Sequence, residues 1–166
     1  IGNRVWFDNN NSGAVDGGET GIPGIAVSLY LDADGNGTPD GAAIRTDTTD
    51  ANGYYLFDNL PPARYLVGVD RLNFAGGVLD EYTSSTGSVD NGVSNTDDRD
   101  NGVDRVSPAD ATLSPNGILS TTIDLRANPL VGLPTAEVGS GNAADGPGGR
   151  GNFGESDANS DLTIDF

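Results

Sequence analysis

Asp8, Asn10, Ser12, Asp16 and Glu19 stand at positions 1, 3, 5, 9 and 12 of a twelve-residue run, with Gly13 at position 6 and Ala14 at position 7. Calcium is a hard cation that takes about six to eight oxygen ligands. An EF-hand-type loop supplies them from side-chain oxygens at the odd positions, a backbone carbonyl at position 7 and a two-oxygen glutamate at position 12, around a turn glycine at position 6. The run therefore reads as a calcium loop, with the Ala14 carbonyl completing the side-chain set. No other stretch offers comparable chemistry.

Two further acidic stretches follow. Asp32, Asp34, Asn36, Thr38 and Asp40 occupy positions 1, 3, 5, 7 and 9 of a second loop, with Gly37 at position 6. Position 12 is Ala43, so a carboxylate must arrive from elsewhere, and Asp47 and Asp50 are close in sequence. A hairpin turn of Asp, Asn and Gly is the competing reading. The densest run, Asn95 to Asp104, carries Asp97, Asp98 and Asp100 as candidate ligands without regular spacing; a solvated acidic face is its alternative. Asp157, Asn159 and Asp161 have 1-3-5 spacing and could add donors. Two or three Ca²⁺ ions are expected. The glycosylation sequons at Asn10 and Asn36 lie inside the metal loops and read as chance matches.

Composition narrows the function classes. The 166 residues carry 25 acidic and 8 basic side chains, a formal charge of −17. Such a surface repels nucleic acid and anionic membranes, and it repels itself unless cations sit among the carboxylates. Neither cysteine nor histidine is present, which removes disulfides, thiolate sites and the commonest general base. No apolar run is long enough to span a membrane as a helix. The chain contains no methionine, so Ile1 is expected to open a processed form or an excerpt of something longer. Hydrophobic content is 35%, and 25 glycines and 9 prolines accompany it. The expected core is modest, and a second source of stability is needed.

The elements that position the loops are strands. Ile25, Val27, Leu29 and Leu31 alternate with Ala26, Ser28 and Tyr30, the period of a half-buried strand. Val5 and Phe7 begin this pattern, and Tyr55, Phe57, Tyr65, Val67 and Val69 repeat it. Weaker strands are expected at 111–113, 119–125 and 162–166. No helical stripe appears. Asp50–Gly53 and Asn59–Ala63 read as turns. Short strands between Gly, Asp and Asn turns predict an all-β protein, an antiparallel β-sandwich. Residues 1–166 read as a single domain, with 127–157 a Gly-rich loop insertion.

The segment Gly2-Asn-Arg-Val-Trp6-Phe-Asp8, the first loop and Gly21-Ile-Pro-Gly24-Ile-Ala-Val27-Ser-Leu29-Tyr together resemble the opening of the B-type repeats of serine-aspartate repeat surface proteins. Thr49–Val67, with Asp50-Ala-Asn-Gly53-Tyr-Tyr55 and Asn59-Leu-Pro-Pro-Ala, is similar to that family's second signature, and Ser160–Phe166 to its closing strand. The resemblance implies a prealbumin-like Greek-key sandwich with calcium-binding loops, extracellular or on the cell surface of a bacterium, repeated in tandem as a stalk or filament. Related collagen-adhesin B-type domains carry a Lys–Asn crosslink, and this chain has no lysine, so calcium would stiffen it alone. The expected partners are neighbouring copies, in tandem or by strand donation, with no nucleic acid and no membrane insertion. A ligand-binding adhesin module that meets a surface receptor through loops 71–110 and 127–157 is the rival reading. An enzyme is not expected, because the acids sit at metal spacing and no aromatic sugar platform accompanies them.

Overall fold

A computed structural model describes residues 1–85, 99–103, 107–126, 161 and 164–166. Seven strands carry the described chain: β1 (Gly2–Arg4), β2 (Ala26–Leu31), β3 (Arg45–Thr48), β4 (Tyr54–Leu56), β5 (Arg64–Val69), β6 (Ile118–Leu119) and β7 (Ile123–Asp124). One sheet runs β3-β2-β5-β6, with β7 also paired to β5, and a second pairs β1 with β4. Every ladder between these strands is antiparallel.

The two sheets enclose one core. Ile25, Val27 and Leu29 of the β2 region and Tyr65, Val67 and Val69 of β5 face Ile1, Val5, Tyr55 and Phe57. Ile25, Val27, Leu29 and Val67 are fully buried, so the period-two pattern reports the inner face directly. The fold is an all-β sandwich. The opposite face of β2 and β5 is covered as well: Tyr30, Leu66 and Leu119 form a second, smaller cluster. Leu31, expected on the inner face, is 38% exposed, because it sits at the end of β2 where loop 2 departs.

The closing segment runs beside β1 in the same direction. Asp161 O accepts from Gly2 N at 3.0 Å, Ile164 N donates to Gly2 O at 3.1 Å, and Phe166 N donates to Arg4 O at 2.9 Å. Phe166 O in turn accepts from Trp6 N at 2.8 Å. Tyr55 Oη reaches across to Ile164 O at 2.5 Å. Both ends of the chain therefore pair within one body.

Several expected elements differ. Residues 111–113 form a turn that Asp110 nucleates, its Oδ1 accepting from Thr112 N and Leu113 N at 2.7 and 3.0 Å. Leu113 is 67% exposed, since an Asx turn satisfies the backbone that a ladder would have used. The 119–125 run is split into β6 and β7 around Ser120–Thr122. Strand β3, Arg-Thr-Asp-Thr, carries no apolar residue and so gave no periodic signal. One helical turn, α1 (Arg71–Phe74), follows β5; four residues are too few to show a stripe. The Gly-rich stretch 127–157 lies outside the described residues.

Candidate metal centre

Loop 1 is a hairpin excursion from the sandwich. Its base is closed where Phe7 N donates to Thr20 O at 3.0 Å and Ile22 N to Val5 O at 2.8 Å. Asp8 organises the turn: Oδ1 accepts from Asn10 N and Ser12 N at 3.3 and 3.1 Å, and Oδ2 from Gly13 N at 2.8 Å. Gly13 has φ +72°, the left-handed conformation that position 6 demands. Asn10 Nδ2 and Ser12 Oγ both donate to Asp16 Oδ2, at 2.7 and 3.0 Å. Ser12 Oγ also lies 3.0 Å from the Ala14 carbonyl. Glu19 closes the loop by accepting Asn9 N on Oε1 and Asp16 N on Oε2, both at 2.9 Å. The six predicted donors, Asp8, Asn10, Ser12, Ala14, Asp16 and Glu19, are thus linked by hydrogen bonds within one turn.

Loop 2 joins β2 to β3 and repeats the plan. Asp32 Oδ1 accepts from Asn36 N at 3.0 Å and Oδ2 from Gly37 N at 3.2 Å. Gly37 has φ +75°. Asp34 Oδ2 accepts from Asn36 Nδ2 at 2.8 Å, Asn36 Oδ1 from Thr38 N at 2.8 Å, and Asp40 Oδ2 from Ala33 N at 2.6 Å. Carboxylate oxygens of Asp32, Asp34 and Asp40 lie within 4.8 Å of one another, a group that could hold a metal ion. Among the described residues this is where three carboxylates gather. Loop 1 also carries three carboxylates, Asp8, Asp16 and Glu19, but they are not gathered this closely. Asp47 and Asp50 serve the strands instead: Asp47 Oδ2 accepts from Leu56 N, and Asp50 Oδ1 from Asn52 N and Tyr54 N.

The third acidic run is described only in part, and Asp97 and Asp98 lie outside the described residues. Asp100 is buried and packs against loop 1, its N–H donating to Gly13 O at 3.0 Å, while Ala14 bridges to Arg99. Beside it sits a buried polar group that the sequence reading did not single out. Asp165, fully buried, accepts Arg4 N at 3.1 Å and Asn3 Nδ2 at 3.3 Å, and its own N–H donates to Asn101 Oδ1 at 2.9 Å. Asp161 is also buried, whereas Asp157 and Asn159 lie outside the described residues.

Two hydroxyls reach the loops from far along the chain. Ser85 Oγ donates to Asp8 Oδ2 at 2.6 Å, and Thr122 Oγ1 to Asp32 Oδ2 at 2.5 Å. Burial works against ionisation of Asp8. The Ser85 hydroxyl and the loop N–H groups of Gly13, Ser12 and Asn10 outweigh it and hold the carboxyl below the usual range. Asp32 follows the same balance, burial opposed by Thr122, Gly37 and Asn36. Both position-1 aspartates are thereby kept as carboxylates, the form that ligates a cation. The donors are all oxygen, which suits a hard divalent ion and not zinc or copper. Next to loop 1 lies a cavity of about 410 Å³, walled by Trp6, Phe7, Phe74, Tyr82 and Phe166 with Asp8 on its rim.

Comparison with known proteins agrees with this architecture. The family model of the SdrD B-like domain matches residues 1–125. Colossin-B of Dictyostelium discoideum is 40% identical over 74 residues, covering 43% of this chain and 2% of its own length. A fibrinogen-binding protein of Staphylococcus epidermidis is 44% identical over 71 residues, covering 43% of this chain and 6% of its own. Serine-aspartate repeat-containing protein I of Staphylococcus saprophyticus is 41% identical over 71 residues, covering 43% and 3% respectively. The chain thus spans only a small fraction of the length of these relatives. Its strands, its paired acidic loops and the match across the sandwich agree: the chain belongs to the SdrD B-like domain family, a repeat module of extracellular surface proteins.

Proposed function

We propose that this chain is a non-catalytic, calcium-stiffened module of a surface stalk or filament, residues 1–166 forming one domain. Loop 1 would hold an ion through Asp8, Asn10, Ser12, the Ala14 carbonyl, Asp16 and Glu19. Loop 2 would hold one through Asp32, Asp34, Asn36, Thr38 and Asp40, and the run containing Asp97, Asp98 and Asp100 would take a third. The observation that carries the proposal is the gathering of the Asp32, Asp34 and Asp40 oxygens within 4.8 Å. Like charges at that separation repel, and a divalent ion between them reverses the sign. Bound calcium would supply charge neutralisation and a crosslink within each loop. The chain's own residues do the rest: they curl the loops, keep the aspartates ionised and tie both loops to the sheets.

Copies would join as tandem modules of one polypeptide. Pairing of Asp161, Ile164 and Phe166 with β1 inside a single chain supports this over strand donation, which would need an open groove. Calcium titration by calorimetry, with bound metal counted by atomic emission, tests the proposal. Two or three Ca²⁺ per chain are expected, falling by one in Asp34→Asn/Asp40→Asn; a chain that retains no calcium contradicts it. A second reading, a ligand-binding surface built on loops 71–110 and 127–157, draws support from exposed Leu72, Val78 and Tyr82, the last of which lines the 410 Å³ cavity.

A further inference from the structure

The two loops differ in sequence and lie on different parts of the sandwich, yet their first aspartates are held alike. In each, Oδ1 accepts the N–H of position 5, Ser12 at 3.1 Å or Asn36 at 3.0 Å. In each, Oδ2 accepts the N–H of the position-6 glycine, Gly13 at 2.8 Å or Gly37 at 3.2 Å. A hydroxyl from outside the loop then completes Oδ2: Ser85 at 2.6 Å and Thr122 at 2.5 Å. These hydroxyls come from 77 and 90 residues downstream. Ser85 Oγ also lies 3.2 Å from Asn11 Oδ1, and Ser85 follows Tyr82, whose ring meets Phe7 edge-on at 5.3 Å. Thr122 lies between β6 and β7, the two short strands that pair with β5.

A carboxylate oxygen has room for about two hydrogen bonds. The remote hydroxyl adds a second partner to Oδ2, beside the glycine N–H, and so fixes the orientation of the whole carboxylate in both loops. A carboxylate fixed in this way loses less freedom on binding than one free to rotate. We propose that Ser85 and Thr122 are the positioning residues of the two cation loops, each setting the affinity of its own loop by fixing the first aspartate from a distant segment. This rests on the calcium reading above, and it adds that each ion would couple its loop to the second half of the domain.

The test is calcium titration by calorimetry in two backgrounds, Asp34→Asn/Asp40→Asn to isolate loop 1 and Asp16→Asn/Glu19→Gln to isolate loop 2. Ser85→Ala is expected to weaken binding about tenfold in the first background, in line with the loss of an outer hydrogen-bond partner at other metal sites, and to leave the second unchanged. Thr122→Val should do the reverse. Ser85→Thr and Thr122→Ser restore the donor and should titrate as their backgrounds. Melting in chelator should stay within about 2 °C of each background, since only one partly exposed hydrogen bond is removed. Hydroxyl variants that titrate as their backgrounds overturn the inference while leaving the calcium reading intact. Equal weakening of both loops by either variant also overturns it, because that is global loosening. Unmutated protein that takes up no calcium removes the calcium reading itself, and the inference with it.

Discussion

Glu19 and Ser12 separate two kinds of contribution to one loop. Glu19 offers two oxygens, already held by the Asn9 and Asp16 N–H groups, while Ser12 offers one hydroxyl shared with Asp16 and Ala14. Glu19→Ala should therefore weaken the loop-1 site more than Ser12→Ala, by at least about tenfold as a carboxylate is lost from the ligand set. Equal affinities in a calcium titration would contradict the assignment. The turn of loop 1 was legible in the sequence because its polar residues are local and their spacing is imposed by one turn. Ser85 and Thr122 were not: a lone serine or threonine has no spacing signature when its partner lies 77 or 90 residues away. Asp165 was hidden for the same reason, its partners being Asn3, Arg4 and Asn101.

At the scale of elements, β5 is the hub, pairing with β2, β6 and β7. Its start is tied to β7 by Asp124. Hydrogen bonds from Arg126, and then from Arg64 at 3.1 Å, hold the Asp124 carboxyl well below the ordinary carboxylate range. A depressed folded value means the tie is complete above about pH 4, the unfolded value, and is lost as pH falls through the folded one. Asp124→Asn should therefore melt slightly below the unmutated protein near pH 6, with the gap closing in strong acid. The pair is partly exposed, so the effect is small. A gap that does not vary with pH, measured in chelator, would exclude the tie. Loop 1 is seated by a second element, the 50–53 turn. Gly53 has φ +87°, and a Cβ there would lie 2.3 Å from Val5 O. Gly53→Ala should cost on the order of 1–3 kcal/mol in strain alone, seen as a fall in melting temperature; an unchanged melting point would mean that the turn relaxes freely. Strands with one apolar face, β2 and β5, were legible. Strand β3 was not, since its register comes from its neighbour β2 and not from burial of its own side chains.

For the whole molecule the central question is what offsets a charge of −17 around a modest core. The sandwich buries one apolar cluster between its sheets and a small second one, while both acidic loops hang from it and are laced to remote segments. One site with a Kd near ~10 μM in about 1 mM calcium would contribute roughly 2.7 kcal/mol. Two such sites would rival the whole net stability of an ordinary domain, about 5–15 kcal/mol. At about 2–4 °C per kcal/mol for a chain of this size, the melting temperature should move by well over ~10 °C. Thermal unfolding of the 166-residue chain in 1 mM calcium and in excess chelator, at fixed ionic strength, measures this directly. The melting temperature is expected to be lower by more than ~10 °C in chelator, with proteolysis starting in the acidic loops. The same melting temperature in both buffers would contradict calcium stiffening.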